Sequence, residues 1–328
     1  MSPAKQKALL LDTKTKEFAV GDVEVYKPGP GEVLIKIQAA ALNPVDWKIQ
    51  RSSVGGQFPE YRILGEDISG DVVEVGKGVT NFKEGDRVFA ETEFGKSHGG
   101  FQQYALSLAS VVAKIPPGIS YDEAATIPLA LSTSYVGLHH QGTETPLVVL
   151  GGGSSVGQLC IQLAKLSGLS PIITTASLKH TEHLKALGAT NVLDRNLSIA
   201  NISQRVKEIT KSPILRVVDA ISLPSTQELA SALLASGGYL AVVLSPAVEA
   251  EGKTVIRVSG VLRAPGNIEI LEDLYQNKAS VLLESGAIRP LRYEVLPNGL
   301  AGISDGLARM EGDQISGVKL VAHPQETV

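Results

Sequence analysis

The chain has 328 residues, of which 43% are apolar and 20% charged, and its formal net charge is −4. This length suffices for a large hydrophobic core and suggests two domains, whereas the acidic balance argues against nucleic acid as the main partner. Without an apolar run of membrane-spanning length or a secretory signal at the N-terminus, we expect a cytoplasmic protein with no membrane partner.

The first 115 residues are predicted to be mostly β-structure. Short apolar or alternating runs are separated by segments rich in Gly, Pro and polar residues. The runs are VLIKIQAAAL, GDVVEVG, DRVFAE and FQQYALSL, and the separating segments are PGPGE, GKGVTNFKEGD and GKSHGG. Their regular spacing predicts a rolled sheet or partial barrel over residues 1–115, ending at the boundary segment KIPPGIS.

From residue 121 the pattern changes to strands that alternate with helices. The candidate strands are 146–150, 170–177, 191–195, 214–222, 237–245 and 253–262, and the candidate helices are 155–167, 179–187, 198–211 and 224–235. This alternation predicts an α/β domain over residues 116–264, with a doubly wound parallel sheet covered by helices on both faces.

Residues 265–328 form a third segment. They contain a helical pattern (IEILEDLYQNKASVLLESG), a strand-like IRPLRYEVLP, a second helix near 299–311 and a final strand, GVKLVAH. We expect this last strand to return to the sheet of the first domain.

The segment PLVVLGGGSSVGQLCIQLAKLSG (146–168) joins the first strand of the alternating half to its helix. Such a turn binds phosphate groups, because helix N-terminal N–H groups and the helix dipole attract anions and glycines permit close approach. Gly and Ser residues occupy the positions of G-x-G-x-x-G, with serine in the middle. We therefore predict a dinucleotide diphosphate site, with a plain tight turn as the alternative; its residues are Gly151, Gly152, Gly153, Ser154, Ser155, Val156 and Gly157.

The next strand end decides between NAD and NADP. NAD sites carry an acidic residue there, about 20 residues on, that binds the ribose hydroxyls. Between Gln158 and Thr181 the chain has no acidic residue. The missing carboxylate predicts NADPH. The alternative interpretation of Lys179 and Arg195 is that they are solvated surface charges. The donors and charges available to a 2′-phosphate are Ser177, Lys179, His180 and Arg195.

Residues that bind metals do not cluster in the sequence. The only cysteine, Cys160, lies on the apolar side of a predicted helix and is interpreted as a core residue. His180 and His183 lack neighbouring thiols, and the adjacent His139 and His140 point in different directions on a helix. Because a catalytic zinc needs about three converging ligands, we predict no metal site.

The order of these parts resembles the medium-chain dehydrogenase/reductase superfamily over essentially the whole chain. The segments that carry the resemblance are PGPGEVLIKIQAAALNPVDW, LGEDISGDVVEVGKGVTNFKEGDRVFA, GGFQQYA, GGGSSVGQ, the GA at 188–189 and SGVKLV. The resemblance implies a GroES-like, partly open β-barrel domain and a Rossmann domain. Short-chain reductases fit poorly, because their nucleotide turn lies near the N-terminus and no Tyr-x-x-x-Lys dyad occurs here.

The segments LNPVDWK and LGEDISG place the resemblance in the zinc-free branch. Zinc-dependent members carry Cys in the first segment and His in the second, whereas these hold Asn43, Pro44, Val45 and Asp46, and Gly65, Glu66 and Asp67. This branch contains quinone oxidoreductases and enoyl reductases. Within it, NPVDWK and GGGSSVGQLCIQLAK are most similar to fungal trans-acting enoyl reductases of polyketide pathways.

The resemblance also implies roles for individual residues. Asn43 would lie beside the nicotinamide or its ribose, with turn capping as the alternative. Lys48 would donate to the ribose or the developing oxyanion, although the sequence by itself indicates a surface lysine. Thr133 matches a position that touches the nicotinamide, the alternative being a hydroxyl bonded to its own helix. Asp46 is interpreted as a structural cap of the following helix.

Other positions carry weaker expectations. Strands that usually frame the nicotinamide are followed here by Ser245, Gly260, Val261 and Leu262. Mitochondrial-type enoyl reductases use a tyrosine after the N-x-x-D element, whereas Tyr61 here is off that spacing. His98 is interpreted as a surface loop residue, with reach into the active-site cleft as the alternative.

The predicted chemistry follows from the missing zinc ligands. Alcohol oxidation without zinc loses its main stabilisation of the alkoxide. Hydride addition to a β-carbon instead spreads charge over an enolate or phenolate, which hydrogen bonds stabilise. We predict NADPH-dependent reduction of an enone, enoyl thioester or quinone. The alternatives are a carbonyl reductase or alcohol dehydrogenase, and a non-catalytic, crystallin-like NADPH-binding protein.

The expected partner is a small apolar substrate. The resemblance to polyketide enoyl reductases implies that this substrate is an acyl chain bound to a carrier protein. Pairing of KTVIRVSGVL with its twin would give a homodimer. Lys253 and Arg257 on that segment would instead protect the edge of a monomer.

Overall fold

A computed structural model describes residues 2–52, 61–139, 146–249, 251–262, 264 and 266–328. His140 and the side chains of Tyr61 and His139, which entered the sequence analysis, lie outside this description. The chain divides into two compact units. Unit 1 comprises residues 1–129, 269–285 and 290–328, and unit 2 comprises residues 130–268 and 286–289.

The described strands are, in chain order, β1 (Lys5–Asp12), β2 (Phe18–Glu24), β3 (Glu32–Ala41), β4 (Tyr61–Arg62), β5 (Asp67–Val75), β6 (Arg87–Glu91), β7 (Tyr104–Leu108), β8 (Val112–Lys114), β9 (Leu147–Leu150), β10 (Ile172–Ala176), β11 (Asn191–Asp194), β12 (Arg216–Asp219), β13 (Tyr239–Val242), β14 (Thr254–Arg257), β15 (Tyr293–Val295) and β16 (Lys319–Ala322).

The described α-helices are α1 (Pro44–Arg51), α2 (Tyr121–Ala125), α3 (Pro128–His139), α4 (Ser155–Leu166), α5 (Thr181–Leu187), α6 (Ile199–Ile209), α7 (Pro224–Leu233), α8 (Asn267–Asp273), α9 (Ala279–Glu284) and α10 (Ile303–Glu311). Short 3-10 helices lie at Ala109–Val111, Leu178–His180, Gly299–Gly302 and Pro324–Glu326, and a π-helical turn, Leu274–Lys278, joins α8 to α9. No described helix combines the length and the apolar character needed to span a membrane.

Unit 1 is built around β3. Its main sheet has the order β15-β16-β3-β5-β6-β8, with β7 also paired to β3, and a smaller sheet has the order β2-β1-β4. Two register shifts between β3 and β5, at Leu34/Ile35 and Ile37/Ala39, bend the sheet. The predicted rolled β-domain is confirmed. The predicted C-terminal return is also confirmed, because β16 pairs antiparallel with β3 through Val321 and Ala41.

Residues 116–129, which the sequence analysis assigned to the second domain, lie in unit 1. Hydrogen bonds attach α2 to β5: Ser69 Oγ donates to Tyr121 O at 2.7 Å, and the Tyr121 hydroxyl donates to Asp71 Oδ1 at 2.5 Å. A capping box formed by Ser120 and Glu123 starts this helix. These hydrogen bonds attach α2 to the main sheet of unit 1, in agreement with the position of residues 116–129 in that unit.

Unit 2 contains the predicted parallel sheet. Six parallel strands have the order β11-β10-β9-β12-β13-β14. All four residues of β9 are buried, as expected for a central strand covered on both faces. The strand order reverses at β9, and ligands bind at the carboxyl ends of strands beside such a switch point. Cys160 in α4 is fully buried, which confirms its predicted core position, and burial raises the pKa of its thiol to about 12.

Several elements differ in extent from the prediction. The strands predicted over 214–222 and 237–245 are limited to Arg216–Asp219 and Tyr239–Val242. The strand predicted over 253–262 is limited to Thr254–Arg257, because the following backbone turns away: Asn267 Nδ2 donates to Ser259 O at 2.7 Å and to Val261 O at 2.8 Å. The helix predicted after residue 265 is helical from α8 through α9 but contains the π-helical turn.

Candidate active site

The glycine turn follows β9 in unit 2. Gly151 has a φ of +80°, which favours glycine. A Cβ atom on Gly157 would overlap Gly151 O and lie 2.8 Å from Gly152 Cα. Ser154, which replaces the middle glycine, is the N-cap of α4: its Oγ accepts from Gly157 N at 3.0 Å and donates to Gly151 O at 2.8 Å. The Ser154 side chain therefore links the first residue of the turn to the first turn of α4 by hydrogen bonds.

The N–H groups of this turn fit an anionic ligand. Gly157 N–H is bound by the Ser154 hydroxyl, and Gln158 N–H by Ser154 O. The N–H groups of Gly153, Ser155 and Val156 have no acceptor among the described residues. Donors grouped at the start of a twelve-residue helix favour a diphosphate. These residues fit the diphosphate of a dinucleotide.

The residues predicted to bind a 2′-phosphate lie around the end of β10. Arg195 N donates to Ala176 O at 3.0 Å, so Arg195 lies beside the strand end that Ser177 follows. His180 is buried, and its Cδ2 lies 3.4 Å from where a Cβ atom of Gly153 would be. Lys179 and Arg195 are exposed. The structure thus brings these residues to the same edge of the sheet as the glycine turn.

Gln158 and His183 also shape the turn, and the sequence analysis did not assign them to the site. Gln158 Nε2 donates to Gly153 O at 3.1 Å, and His183 Nε2 lies 2.8 Å from Gln158 Oε1. The amide side chain therefore links the turn to α5. The signal available in the sequence was the pair of polar residues Gln158 and Gln162, four positions apart among the apolar residues of α4.

Thr133 lies in α3, beside the first turn of α4. The neighbouring Ser134 attaches the two helices, because its Oγ donates to Val156 O at 2.9 Å. Thr133 is 6% exposed, and its hydroxyl has no hydrogen-bond partner in the described part of the chain. The alternative of a hydroxyl bonded to its own helix is therefore not observed, and this donor is available to a ligand.

The loops after β13 and β14 are bound by Gln227 and Asn267, two side chains that the sequence analysis did not assign to the site. The fully buried Gln227 donates through Nε2 to Ser222 O at 3.0 Å and to Ser245 O at 3.1 Å. Its Oε1 accepts from Ala247 N at 2.7 Å. Asn267 holds the segment that contains Gly260, Val261 and Leu262 through the contacts given above. Of the four residues predicted to frame the nicotinamide, Ser245 and Val261 are exposed, whereas Gly260 and Leu262 are buried.

In unit 1, Asn43 belongs to a buried polar network. Its Oδ1 accepts from Lys319 Nζ at 2.7 Å, and its Nδ2 donates to Asp67 Oδ2 at 2.8 Å. Asn43 is 4% exposed. These contacts hold the start of α1 in place. Both the oxygen and the nitrogen of the Asn43 amide therefore have hydrogen-bond partners within the protein.

Asp46 caps α1, as its predicted structural role requires. Its Oδ2 accepts from Asn43 N at 2.8 Å and its Oδ1 from Gly65 N at 3.2 Å. Burial, only partly offset by these two hydrogen bonds, raises the pKa of Asp46 to about 7. The aspartate thus joins α1 to the segment that precedes β5.

Lys48, the fifth residue of α1, is half-buried, and its Nζ lies 5.6 Å from the centroid of the Trp47 ring. It forms no ion pair with any carboxylate of the described residues. Burial lowers the pKa of its ammonium group. A cation of this kind is a stronger acid than a surface lysine and can donate to a ligand oxygen.

Glu66 lies beside Asp67 and was not singled out as a candidate. It is 3% exposed, and its pKa is raised well above the usual value, first by burial and then by the carboxyl groups of Glu91, Asp46 and Asp67. His98, by contrast, is engaged away from this group: its Nε2 lies 3.0 Å from Glu32 Oε1.

The described residues of unit 1 were compared with the requirements of a zinc site. No group of three or more His, Cys, Asp or Glu side chains in the described ranges has the arrangement of a metal site. Asn43 Oδ1 is bound by the ammonium group of Lys319, and a second cation at that oxygen would meet electrostatic repulsion.

Comparison with known proteins gives two family matches. Residues 29–117 match the alcohol dehydrogenase GroES-like domain, and residues 155–264 match the zinc-binding dehydrogenase family. A 2-methylene-furan-3-one reductase of Solanum lycopersicum is 33% identical over 302 residues, which are 89% of this chain and 72% of that protein. The enoyl reductase component lovC of lovastatin nonaketide synthase, from Aspergillus terreus, is 29% identical over 331 residues, 88% of each chain.

A solved structure shows the same fold. An alcohol dehydrogenase superfamily protein from Novosphingobium aromaticivorans superimposes with a TM-score of 0.83 at 24% identity, covering 96% of this chain and 99% of that one. A GroES-like domain combined with a Rossmann sheet defines a class of nicotinamide-dependent oxidoreductases. The chain belongs to the medium-chain dehydrogenase/reductase superfamily.

Proposed function

We propose that the chain is an NADPH-dependent reductase that works without zinc and reduces an activated C=C bond, in an enone or enoyl thioester, or a quinone. The observation that carries the proposal is Lys48, a half-buried ammonium group with a lowered pKa and no carboxylate partner among the described residues. The names of the tomato enone reductase and the lovastatin enoyl reductase component support the same reaction class.

The cofactor, when bound, supplies a hydride to the β-carbon of the substrate. Lys48 donates a hydrogen bond to the carbonyl oxygen, where negative charge develops as the enolate forms. Thr133 offers its unengaged hydroxyl to the nicotinamide. Asn43 is a positioning residue, because its bonds to Asp67 and Lys319 fix the start of the helix that carries Lys48.

The choice of NADPH rests on the 2′-phosphate end of the cofactor. Ser177 and Arg195 lie together at the end of β10, and Lys179 adds an exposed positive charge. No acidic side chain follows β10 before Thr181, where an NAD site carries its carboxylate. Because both basic side chains are exposed, each contributes modestly to the binding free energy of the 2′-phosphate, and the two act together.

The test is a substrate panel followed by NADPH absorbance, containing an enone, an enoyl thioester, a quinone, a ketone and an aldehyde. We expect oxidation of NADPH with the first three. Turnover of the ketone or aldehyde without turnover of the enone would overturn the proposal in favour of a carbonyl reductase. Binding of NADPH with no oxidation would favour a non-catalytic protein.

A variant pair links the activity to Lys48. Lys48→Met keeps the length of the side chain and removes its charge, so kcat with the enone should fall by about tenfold or more, as loss of an oxyanion donor does. Lys5→Met changes an exposed lysine of β1 in the same unit and should leave kcat unchanged. Equal rates for both variants would remove Lys48 from the mechanism.

We also propose a small apolar acyl substrate, either free or held by a carrier protein. The lovastatin relative is named as a component of a synthase, which supports the carrier-bound form. Comparing the same enoyl group on a simple thiol and on a carrier protein tests this; a much higher kcat/KM on the carrier is the expected result for a trans-acting enzyme, and equal values would contradict it.

A further inference from the structure

We propose that Gln158 is a positioning residue for the diphosphate of the dinucleotide. Its side-chain amide fixes the peptide group between Gly153 and Ser154, and thereby holds the neighbouring N–H groups in their binding positions before the cofactor arrives. This role rests on the proposed binding of NADPH, and it adds to that proposal a buried side chain that prepares the phosphate turn.

The peptide group between Gly153 and Ser154 is held at both ends. Its N–H, on Ser154, donates to Gly151 O at 2.9 Å, and its carbonyl oxygen, on Gly153, accepts from Gln158 Nε2 at 3.1 Å. The next carbonyl, on Ser154, accepts from the backbone N–H of Gln158 at 2.9 Å. Gln158 therefore binds two consecutive carbonyl groups of the turn, one through its side chain and one through its backbone.

These carbonyl contacts set the direction of the N–H groups that face a ligand. A trans peptide is planar, so its N–H and C=O point in opposite directions. Because Ser154 O points to Gln158, the N–H of Ser155 in the same peptide points away from Gln158, and it has no acceptor among the described residues. Gly153 and Ser155 are half-buried, whereas Gln158 is 2% exposed. The donors thus stay within reach of a ligand while the carbonyl groups are bound to a buried residue.

The covalent chain alone does not fix this arrangement. Gly153 lacks a Cβ atom, so the peptide group that follows it can rotate at little steric cost. Rotation would turn the Gly153 carbonyl oxygen, which carries partial negative charge, towards the phosphate and repel it. The hydrogen bond from Gln158 opposes this rotation, because a buried donor that loses its acceptor destabilises the protein.

His183 of α5 fixes the orientation of the Gln158 amide. Gly153 O can only accept a hydrogen bond, so the NH2 group of Gln158 faces it and Oε1 faces α5. His183 Nε2 lies 2.8 Å from Oε1 and donates to it. The reverse orientation would place Oε1 against Gly153 O, where the two oxygens repel each other. The amide therefore has one stable orientation, and in that orientation it binds the turn.

Gln162 provides a matched comparison in the same helix. It lies four positions further along α4 and is also 2% exposed. Both ends of its amide are bound, because Nε2 donates to Arg289 O at 3.2 Å and Oε1 accepts from Arg289 N at 2.7 Å. The two glutamines therefore share burial and bonding, but only Gln158 contacts the glycine turn.

The first test compares NADPH affinity in two matched variants by fluorescence titration. Methionine is unbranched and close to glutamine in length, so Gln158→Met and Gln162→Met each remove one buried amide with little change of volume. We expect Gln158→Met to bind NADPH about tenfold more weakly, with a raised KM for NADPH and an unchanged kcat at saturation. Gln162→Met should bind as wild type. Equal affinities for the two variants would overturn the role of Gln158, whereas failure of wild type to bind NADPH would overturn the proposed function.

A second measurement needs no cofactor. Hydrogen exchange of the Ser154 amide, followed by NMR in the cofactor-free protein, should be about tenfold faster in Gln158→Met than in wild type, because the peptide group loses one of its two restraints. Exchange in Gln162→Met should match wild type. Unchanged exchange at Ser154 in Gln158→Met would overturn the proposal.

Gln158→Asn serves as a second variant if Gln158→Met does not fold. It retains an amide, but the side chain is one methylene too short to reach Gly153 O from the same position on α4. Weaker NADPH binding and faster exchange at Ser154 are both expected. Wild-type behaviour of this variant in both measurements would also overturn the role of Gln158.

Discussion

Lys319 and Asp67 form an almost completely buried ion pair. Lys319 Nζ lies 2.5 Å from Asp67 Oδ2, and 2% and 0% of the two side chains are exposed. The residues are 252 positions apart, and the pair fastens the last strand of unit 1 to the start of β5. Asn43 bridges the same two side chains, so one network anchors the C-terminal return and the helix proposed to bind substrate.

Removing the cation from this pair should be costly. In Lys319→Met, Asp67 remains buried without its charge partner, and we expect the free energy of unfolding to fall by about 3–5 kcal/mol. Lys27→Met removes the exposed partner of Glu74 and should cost less than about 1 kcal/mol. Chemical denaturation of both variants measures this difference in the free energy of unfolding. Equal losses in the two variants would contradict the expectation that burial makes the Lys319–Asp67 pair more important for stability than the exposed pair.

A methyl group in the glycine turn should block the cofactor. In Gly157→Ala the new Cβ meets Gly151 O and Gly152 Cα, so the backbone must move away from its phosphate-binding position. We expect NADPH affinity to fall by about tenfold or more, which is at least about 1.4 kcal/mol. Fluorescence titration measures it. Gly137→Ala adds a Cβ with only an ordinary contact, 3.8 Å from Val258 Cγ2, and should bind NADPH normally.

Cofactor selectivity should depend on the two exposed basic residues near β10. Lys179→Ala combined with Arg195→Ala removes the proposed partners of the 2′-phosphate, so NADPH affinity should fall by about tenfold while NADH affinity stays constant. Lys207→Ala on α6 is the control for a change of surface charge. A parallel loss of NADPH and NADH affinity would place the phosphate elsewhere.

The buried carboxyl groups of Asp46 and Glu66 should make stability depend on pH. The pKa of Asp46 is raised from 3.8 to about 7 and that of Glu66 is raised above 4.5, so the folded chain binds protons more tightly than the unfolded chain. Their contribution is complete below the unfolded pKa values and is lost as pH rises towards the folded ones.

Between about pH 4 and about pH 7, the unfolded and folded pKa values of Asp46, the free energy of unfolding should therefore fall by several kcal/mol. Denaturation at a series of pH values tests this. Glu66→Gln removes one of the two groups and should flatten the dependence; an unchanged slope in that variant would mean that Glu66 is ionised in the folded protein.

Chelation should not affect the protein. Because Lys319 occupies Asn43 Oδ1 and the described residues supply no converging ligand set, dialysis against a chelator should leave both the melting temperature and the rate of enone reduction unchanged. Metal analysis of the purified protein provides an independent check. Loss of activity that zinc restores would contradict the zinc-free proposal.

The sequence by itself determined the elements and their local chemistry. Strand–helix alternation predicted the parallel sheet, and the run VVLGGGSSVGQ predicted a turn whose N–H groups face a ligand. These features depend on residues within a few positions of each other, where spacing, β-branching and glycine conformation act directly. The return of GVKLVAH to the first sheet was also within reach, because a late strand must pair with another strand to satisfy its backbone groups.

Only the tertiary structure decided which polar side chains meet. Lys319 lies 276 positions from Asn43, and the sequence contains no local signal that joins them. The same holds for Glu66, whose pKa is raised by burial and by the carboxyl groups of Glu91, Asp46 and Asp67. Charge state in a buried region is set by desolvation and by contacts between distant segments, and neither quantity exists until the chain has folded.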